Sequence, residues 1–168
     1  MVKGKIIIID DEQIIREDLC RELIKEGYEA TCFPDAVTAL DTMNETIKVA
    51  IVDLRMPKMD GLEFVKTISD KYPKTQVIII TGHGDETDAI QAVKLHVFDY
   101  IKKGDLTIDR LLESIEAAII KYKVFPKIVE PDKILGEWTS EKDDIEKIRD
   151  LTSEIKESLG DEISKRRG

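Results

Sequence analysis

Long apolar runs are missing from this 168-residue chain. None approaches the ~20 residues that cross a bilayer, so a membrane protein is not expected. The start, Met1-Val2-Lys3-Gly4-Lys5, lacks the cationic region, apolar centre and small-residue cleavage site of a secretory signal, and a cytoplasmic location is expected. Cysteine is scarce. Cys20 falls on a helical pattern and Cys32 near a strand end, with no CxxC spacing and no further cysteines for a disulfide framework or metal site, so both read as buried thiols. The two histidines, His83 and His96, lack metal-ligand spacing. Positive charge is in deficit too: 26 Lys and Arg against 35 Asp and Glu leave a net charge of -9. Such a surface disfavours nucleic-acid binding, which needs clustered cations, but suits an acidic pocket for a divalent cation.

What is present alternates. Lys5-Ile6-Ile7-Ile8-Ile9 is a β-branched run of the kind covered on both faces of a sheet, and it stops at Asp10-Asp11. Ile14, Ile15, Leu19, Leu23 and Ile24 then predict a helix over about 12 to 26, with Gly27 as its cap. A second strand over 28 to 33 leads to a helix with Val37, Leu40 and Met43 on one face. The third strand ends at Asp53, and after Gly61 a helix carries Leu62, Val65 and Ile68. Val77-Ile78-Ile79-Ile80 ends in Thr81, and Ala89, Ile90, Val93 and Leu95 mark the fourth helix. The fifth strand covers 97 to 101. The fifth helix begins near Thr107, with Ile108, Leu111, Leu112, Ile115, Ile119 and Tyr122 on one stripe. Five such pairs predict an α/β fold, a doubly wound parallel sheet with helices on both faces, over residues 1–123.

The rest differs in kind. Pro126, Pro131 and Gly136 punctuate a connector over 124–139. Beyond it, Ser140 and Asp143 form a capping box, and Ile145, Ile148, Leu151, Ile155, Leu159 and Ile163 predict an amphipathic helix over 140–168. Its narrow apolar stripe needs a partner surface: its own domain, a second copy or another protein. Trp138 could anchor any of these.

The chemistry gathers at strand ends. Ligands of doubly wound sheets bind outside the carboxyl ends of the strands, where Asp10, Asp11 and Asp53 would converge. Three carboxylates repel unless a cation neutralises them, and an all-oxygen set selects a hard ion such as Mg2+ (or Mn2+). Lys103 and the Thr81 hydroxyl reach the same edge and offer a point charge and a donor to a tetrahedral anion. Metal, lysine and an attacking carboxylate together describe phosphoryl transfer.

Four stretches carry a family likeness. Ile8-Ile9-Asp10-Asp11-Glu12, Val52-Asp53-Leu54-Arg55-Met56-Pro57-Lys58-Met59-Asp60-Gly61, Ile79-Ile80-Thr81-Gly82 and Phe98-Asp99-Tyr100-Ile101-Lys102-Lys103 stand in the order and spacing of a response regulator receiver domain, which the chain resembles over about three quarters of its length. The resemblance implies a flavodoxin-like sheet of order 2-1-3-4-5. Asp53 would accept a phosphoryl group from a sensor histidine kinase, a phosphotransfer protein or a small donor such as acetyl phosphate, and autodephosphorylation would be slow. Asp11, Asp53 and the Arg55 carbonyl would ligate Mg2+, with Asp10 acting mostly through a bound water. Lys103 would pair with the phosphate, Thr81 would swing toward it, and Tyr100 would rotate inward. The changed surface would be helix 4, strand 5 and helix 5, and that face or the C-terminal helix could carry a homodimer. Arg55 and His83, two residues beyond the acceptor and the threonine, would influence hydrolysis.

The chain departs from the family where Gly104 follows Lys103 in place of proline, which predicts a trans bond or a reshaped loop. His96 and Val97 stand where Gly and Ala are usual. Two other readings stand beside the switch: a Mg2+-dependent phosphohydrolase, disfavoured because Arg55 occupies the place of the second aspartate in haloacid-type phosphatases, and a receiver that binds partners without phosphorylation. No helix-turn-helix, nucleotide-binding loop or catalytic cluster follows residue 123, so no output activity is assigned.

Overall fold

The computed structural model describes residues 2–82 and 86–128. His83, Trp138, most of the expected connector and the expected helix over 140–168 lie outside them. Five strands, β1 (Lys5–Ile9), β2 (Glu29–Phe33), β3 (Ile47–Val52), β4 (Gln76–Thr81) and β5 (Asp99–Lys102), alternate with α1 (Gln13–Lys25), α2 (Ala36–Leu40), α3 (Gly61–Lys71), α4 (Glu86–Lys94) and α5 (Ile108–Ile128). All strand pairs are parallel, in the order β2-β1-β3-β4-β5. The expected architecture is met.

The isoleucine runs are uninterrupted because both faces of the sheet are covered. Side chains alternate along a strand, so Ile7, Ile9, Val52 and Ile79 join one core with Ala36, Phe64, Ile68 and Ala92 from α2, α3 and α4. Ile6, Ile8, Ile51 and Ile78 join the other with Leu23, Leu111 and Ile115 from α1 and α5. Asp99 at the start of β5 accepts from Ser114 and Arg110 of α5, at 2.7 and 2.6 Å, which ties the edge strand down. Burial raises the Asp99 carboxyl, but these bonds and one from the Tyr100 amide outweigh it and hold it below the ordinary range.

Helix faces depart from expectation. In α1 Leu23 is buried, while Ile14 is 77% exposed and Ile24 is also exposed. In α2 the buried residues are Ala36 and Ala39, and Val37 faces out. In α4 Ala92 is buried, whereas Ile90 and Val93 are exposed. In α2 and α4 the small alanines dock on the sheet, so the faces that pack are not the most hydrophobic ones.

Helix ends follow backbone chemistry. Gly27 takes φ 87, and the Tyr28 amide returns to the Leu23 carbonyl at 3.0 Å. His96 closes α4 in the same way at φ 55, with the Val97 amide bonded to the Ala92 carbonyl at 3.2 Å. Val97 is thereby drawn into the cap, and β5 begins at Asp99, two residues later than expected. The Thr107 hydroxyl caps α5 by accepting from the Arg110 amide at 3.2 Å. That helix continues to Ile128, five residues into the stretch expected to be a connector.

The cysteines correct the sequence reading. Cys20 and Cys32 form a disulfide, with Cα atoms 6.4 Å apart. The register pairs Cys32 with Ile8, whose side chain points to the α1 side of the sheet, and Cys20 packs on that same core. Sequence spacing carries no trace of this proximity.

Candidate functional site

Strand register builds the site. Ile9 lies opposite Val52, so the next residues on these neighbouring strands, Asp10 and Asp53, emerge side by side at the carboxyl edge. The Asp53 amide donates to the Ile9 carbonyl at 2.8 Å and the Asp10 amide to the Phe33 carbonyl at 3.2 Å, which extends the ladder by one step and fixes both backbones. Both carboxylates are buried and Asp11 is exposed. Behind Asp53 the chain turns tightly into α3. A Cβ on Gly61 would strike the Asp53 carbonyl and come within 2.9 Å of the Leu54 Cα, so only glycine fits. Asp60 caps α3, accepting from the Glu63 amide at 2.8 Å.

Asp10, Asp11 and Asp53 each place a carboxylate oxygen so that all three lie within 4.8 Å of one another. Three hard anionic oxygens at this spacing suit a divalent cation that takes oxygen ligands. In the structure the Lys103 ammonium answers part of that charge. Its Nζ lies 2.7 Å from Asp53 Oδ2, 2.9 Å from Asp10 Oδ2 and 2.5 Å from Glu12 Oε1. Burial would lower the Lys103 pKa, but these carboxylates win and hold it well above the ordinary value. Burial raises the Asp10 carboxyl above its usual range, against the pull of Lys103 and of the Glu12 amide, which donates at 2.8 Å.

Lys103 opens a 3-10 turn, Lys103–Asp105, and the bond to Gly104 is trans, as the missing proline led us to expect. The lysine stem passes over Gly82, where a Cβ would sit 3.5 Å from Lys103 Cδ. Lys102 is exposed. Thr81 is buried at the end of β4, opposite Lys102, so its strand ends beside the lysine turn. Tyr100 is half-buried, its ring against the α2, α3 and α4 side of the core, with its hydroxyl buried.

Two contacts were not foreseen. Glu12 holds Lys103, and its signal in the sequence is a third consecutive acid after β1. Asp88 of α4 binds the Arg55 guanidinium at 2.7 Å, and no sequence pattern marks it. The Arg55 amide faces Asp53 Oδ1 at 3.4 Å, beyond a good hydrogen bond.

A five-stranded doubly wound sheet with an acidic pocket at its carboxyl edge defines a class, and the comparisons define the family within it. The response regulator receiver domain family matches residues 6–116, and the chain belongs to that family. It is 40% identical over 124 residues to the DNA-binding transcriptional regulator NtrC of Proteus hauseri, a match covering 73% of this chain and 26% of that protein. The chain therefore spans about a quarter of that relative's length. Among solved structures, a receiver domain protein from Clostridium thermocellum shares 34% identity at a TM-score of 0.67, covering 73% of this chain and 98% of the other. The beryllofluoride-activated NtrC4 receiver domain dimer shares 30% identity at a TM-score of 0.66, covering 70% of this chain and 98% of the other.

Proposed function

We propose that this chain is the phosphorylation-controlled switch of a two-component system and that Asp53 is its phosphoacceptor. The observation that carries the reading is the Asp53 carboxylate at a strand end, 2.7 Å from Lys103 and grouped with Asp10 and Asp11. An Asp53 oxygen attacks the phosphorus of a kinase or phosphotransfer-protein phosphohistidine. The P–O bond forms as the P–N bond breaks, and the electron pair returns to an imidazole that leaves with its other nitrogen protonated. Lys103 neutralises charge on the transferred group and the Thr81 hydroxyl donates to it. Asp10, Asp11 and Asp53 would hold Mg2+ or Mn2+, which supplies further neutralisation of the phosphoryl oxygens when bound. The Arg55 guanidinium shields the acyl phosphate from water.

A second copy of the chain is the partner we assign to α4, β5 and α5. Ile90 and Val93 stand exposed on α4, and the NtrC4 receiver with the same fold is described as a dimer. Contact with nucleic acid is not assigned to these residues.

Incubation with acetyl phosphate and Mg2+ followed by intact mass measurement tests the acceptor. The parent should gain one phosphoryl group and Asp53→Asn none; equal labelling of both would sink the reading. Light scattering on the beryllofluoride-treated parent should show a dimer, and a monomer would remove the second copy.

A further inference from the structure

Among the described side chains of α4, Asp88 and Ala92 are buried and Ala89 is half-buried. One methyl group and a carboxylate remove little apolar area from water, so burial alone holds this helix loosely. The Asp88 carboxylate is turned instead toward Arg55, whose guanidinium meets it at 2.7 Å. The two ends are unlike: the Asp88 side chain is 12% exposed, and that of Arg55 is 56% exposed. Arg55 also stands two residues beyond Asp53, with its amide beside the acceptor's Oδ1. One side chain therefore links the acceptor loop to α4.

We propose that Asp88 is a positioning residue that holds Arg55 away from the acceptor, and that a phosphoryl group on Asp53 competes for this guanidinium and so releases α4. The inference rests on Asp53 being the acceptor and adds how its occupancy reaches the helix. A phosphoryl group carries more charge and more acceptor oxygens than a carboxylate, and its geometry matches the guanidinium fork. Departure of Arg55 removes this ion pair from the largely buried Asp88 carboxylate, which weakens the hold on the helix that carries it. The pair is thus stable in one state of Asp53 and opposed in the other.

Hydrogen exchange of the α4 amides in the whole chain reads the latch directly. Without phosphodonor, Asp88→Asn should speed α4 exchange by about 3- to 10-fold over the parent, while Asp88→Glu, which keeps the charge, should stay near it. Beryllofluoride with Mg2+ should speed the parent's α4 by a similar factor and leave Asp88→Asn near its raised rate. Acyl phosphate lifetimes add a readout that packing would not split. Asp88→Asn, which frees Arg55, should lengthen the lifetime, and Arg55→Ala should shorten it. A parent that takes no phosphoryl group overturns the acceptor reading itself. A labelled parent whose α4 exchange matches that of Asp88→Asn in both states, or lifetimes that move in the same direction, overturns the latch alone.

Discussion

His96 holds a backbone angle that its side chain resists. At φ 55 it occupies the left-handed region, where an L side chain with a Cβ costs roughly 1–2 kcal/mol and glycine costs almost no steric energy. The cap geometry demands that angle, because the Val97 amide must reach the Ala92 carbonyl. Glycine gives back part of the gain through the freedom it adds to the unfolded chain. His96→Gly should therefore stabilise the domain by about 0.5–1 kcal/mol, read as a raised urea midpoint at constant slope. A lowered midpoint would mean that the imidazole makes a contact worth more than the strain. Gly27 and Gly61 could be read from the sequence because glycine is the ordinary answer to such backbone demands. At position 96 the demand is the same and the residue hides it.

At the scale of elements, the strands were the legible part. A parallel strand covered on both sides must be apolar at every position, so Ile6 to Ile9 and Val77 to Ile80 announce themselves. Helix faces were harder to read, since α2 and α4 turn small alanines inward and leave Val37, Ile90 and Val93 outside. The disulfide between α1 and β2 was hidden altogether, because two cysteines separated by 12 positions meet only through the register of β2 on β1. A loop of that size, closed in the unfolded chain, contributes roughly 3 kcal/mol in the chain-entropy account. Reduction should lower the urea midpoint accordingly, and Cys20→Ser should match the reduced parent and ignore reductant. Unreduced protein with the mass of two free thiols would refute the pairing.

For the molecule as a whole, topology does what no local segment can. Asp10, Asp53, Thr81 and Lys103 come from four separate strand ends, and sequence order with parallel pairing was enough to bring them to one edge. The loads on that edge were not legible: that Glu12 shares Lys103, or that Asp88 takes Arg55, depends on side-chain directions set only in the packed structure. The same assembly couples the site to global stability. Lys103 bonds two of the carboxylates that a cation would need, so it partly discharges the cluster before any ion binds. A ligand that binds only the folded state stabilises it by RT ln(1 + [L]/Kd), about 2.7 kcal/mol at 100 times Kd. Magnesium should therefore raise the melting temperature of the parent. In Lys103→Met the carboxylates lose their ammonium, so the protein should start less stable without metal and gain more from the same magnesium concentration, because more repulsion is relieved. A thermal titration of both proteins measures the two gains; a variant that gains no more than the parent would show that Lys103 and the cation do not share the same charges.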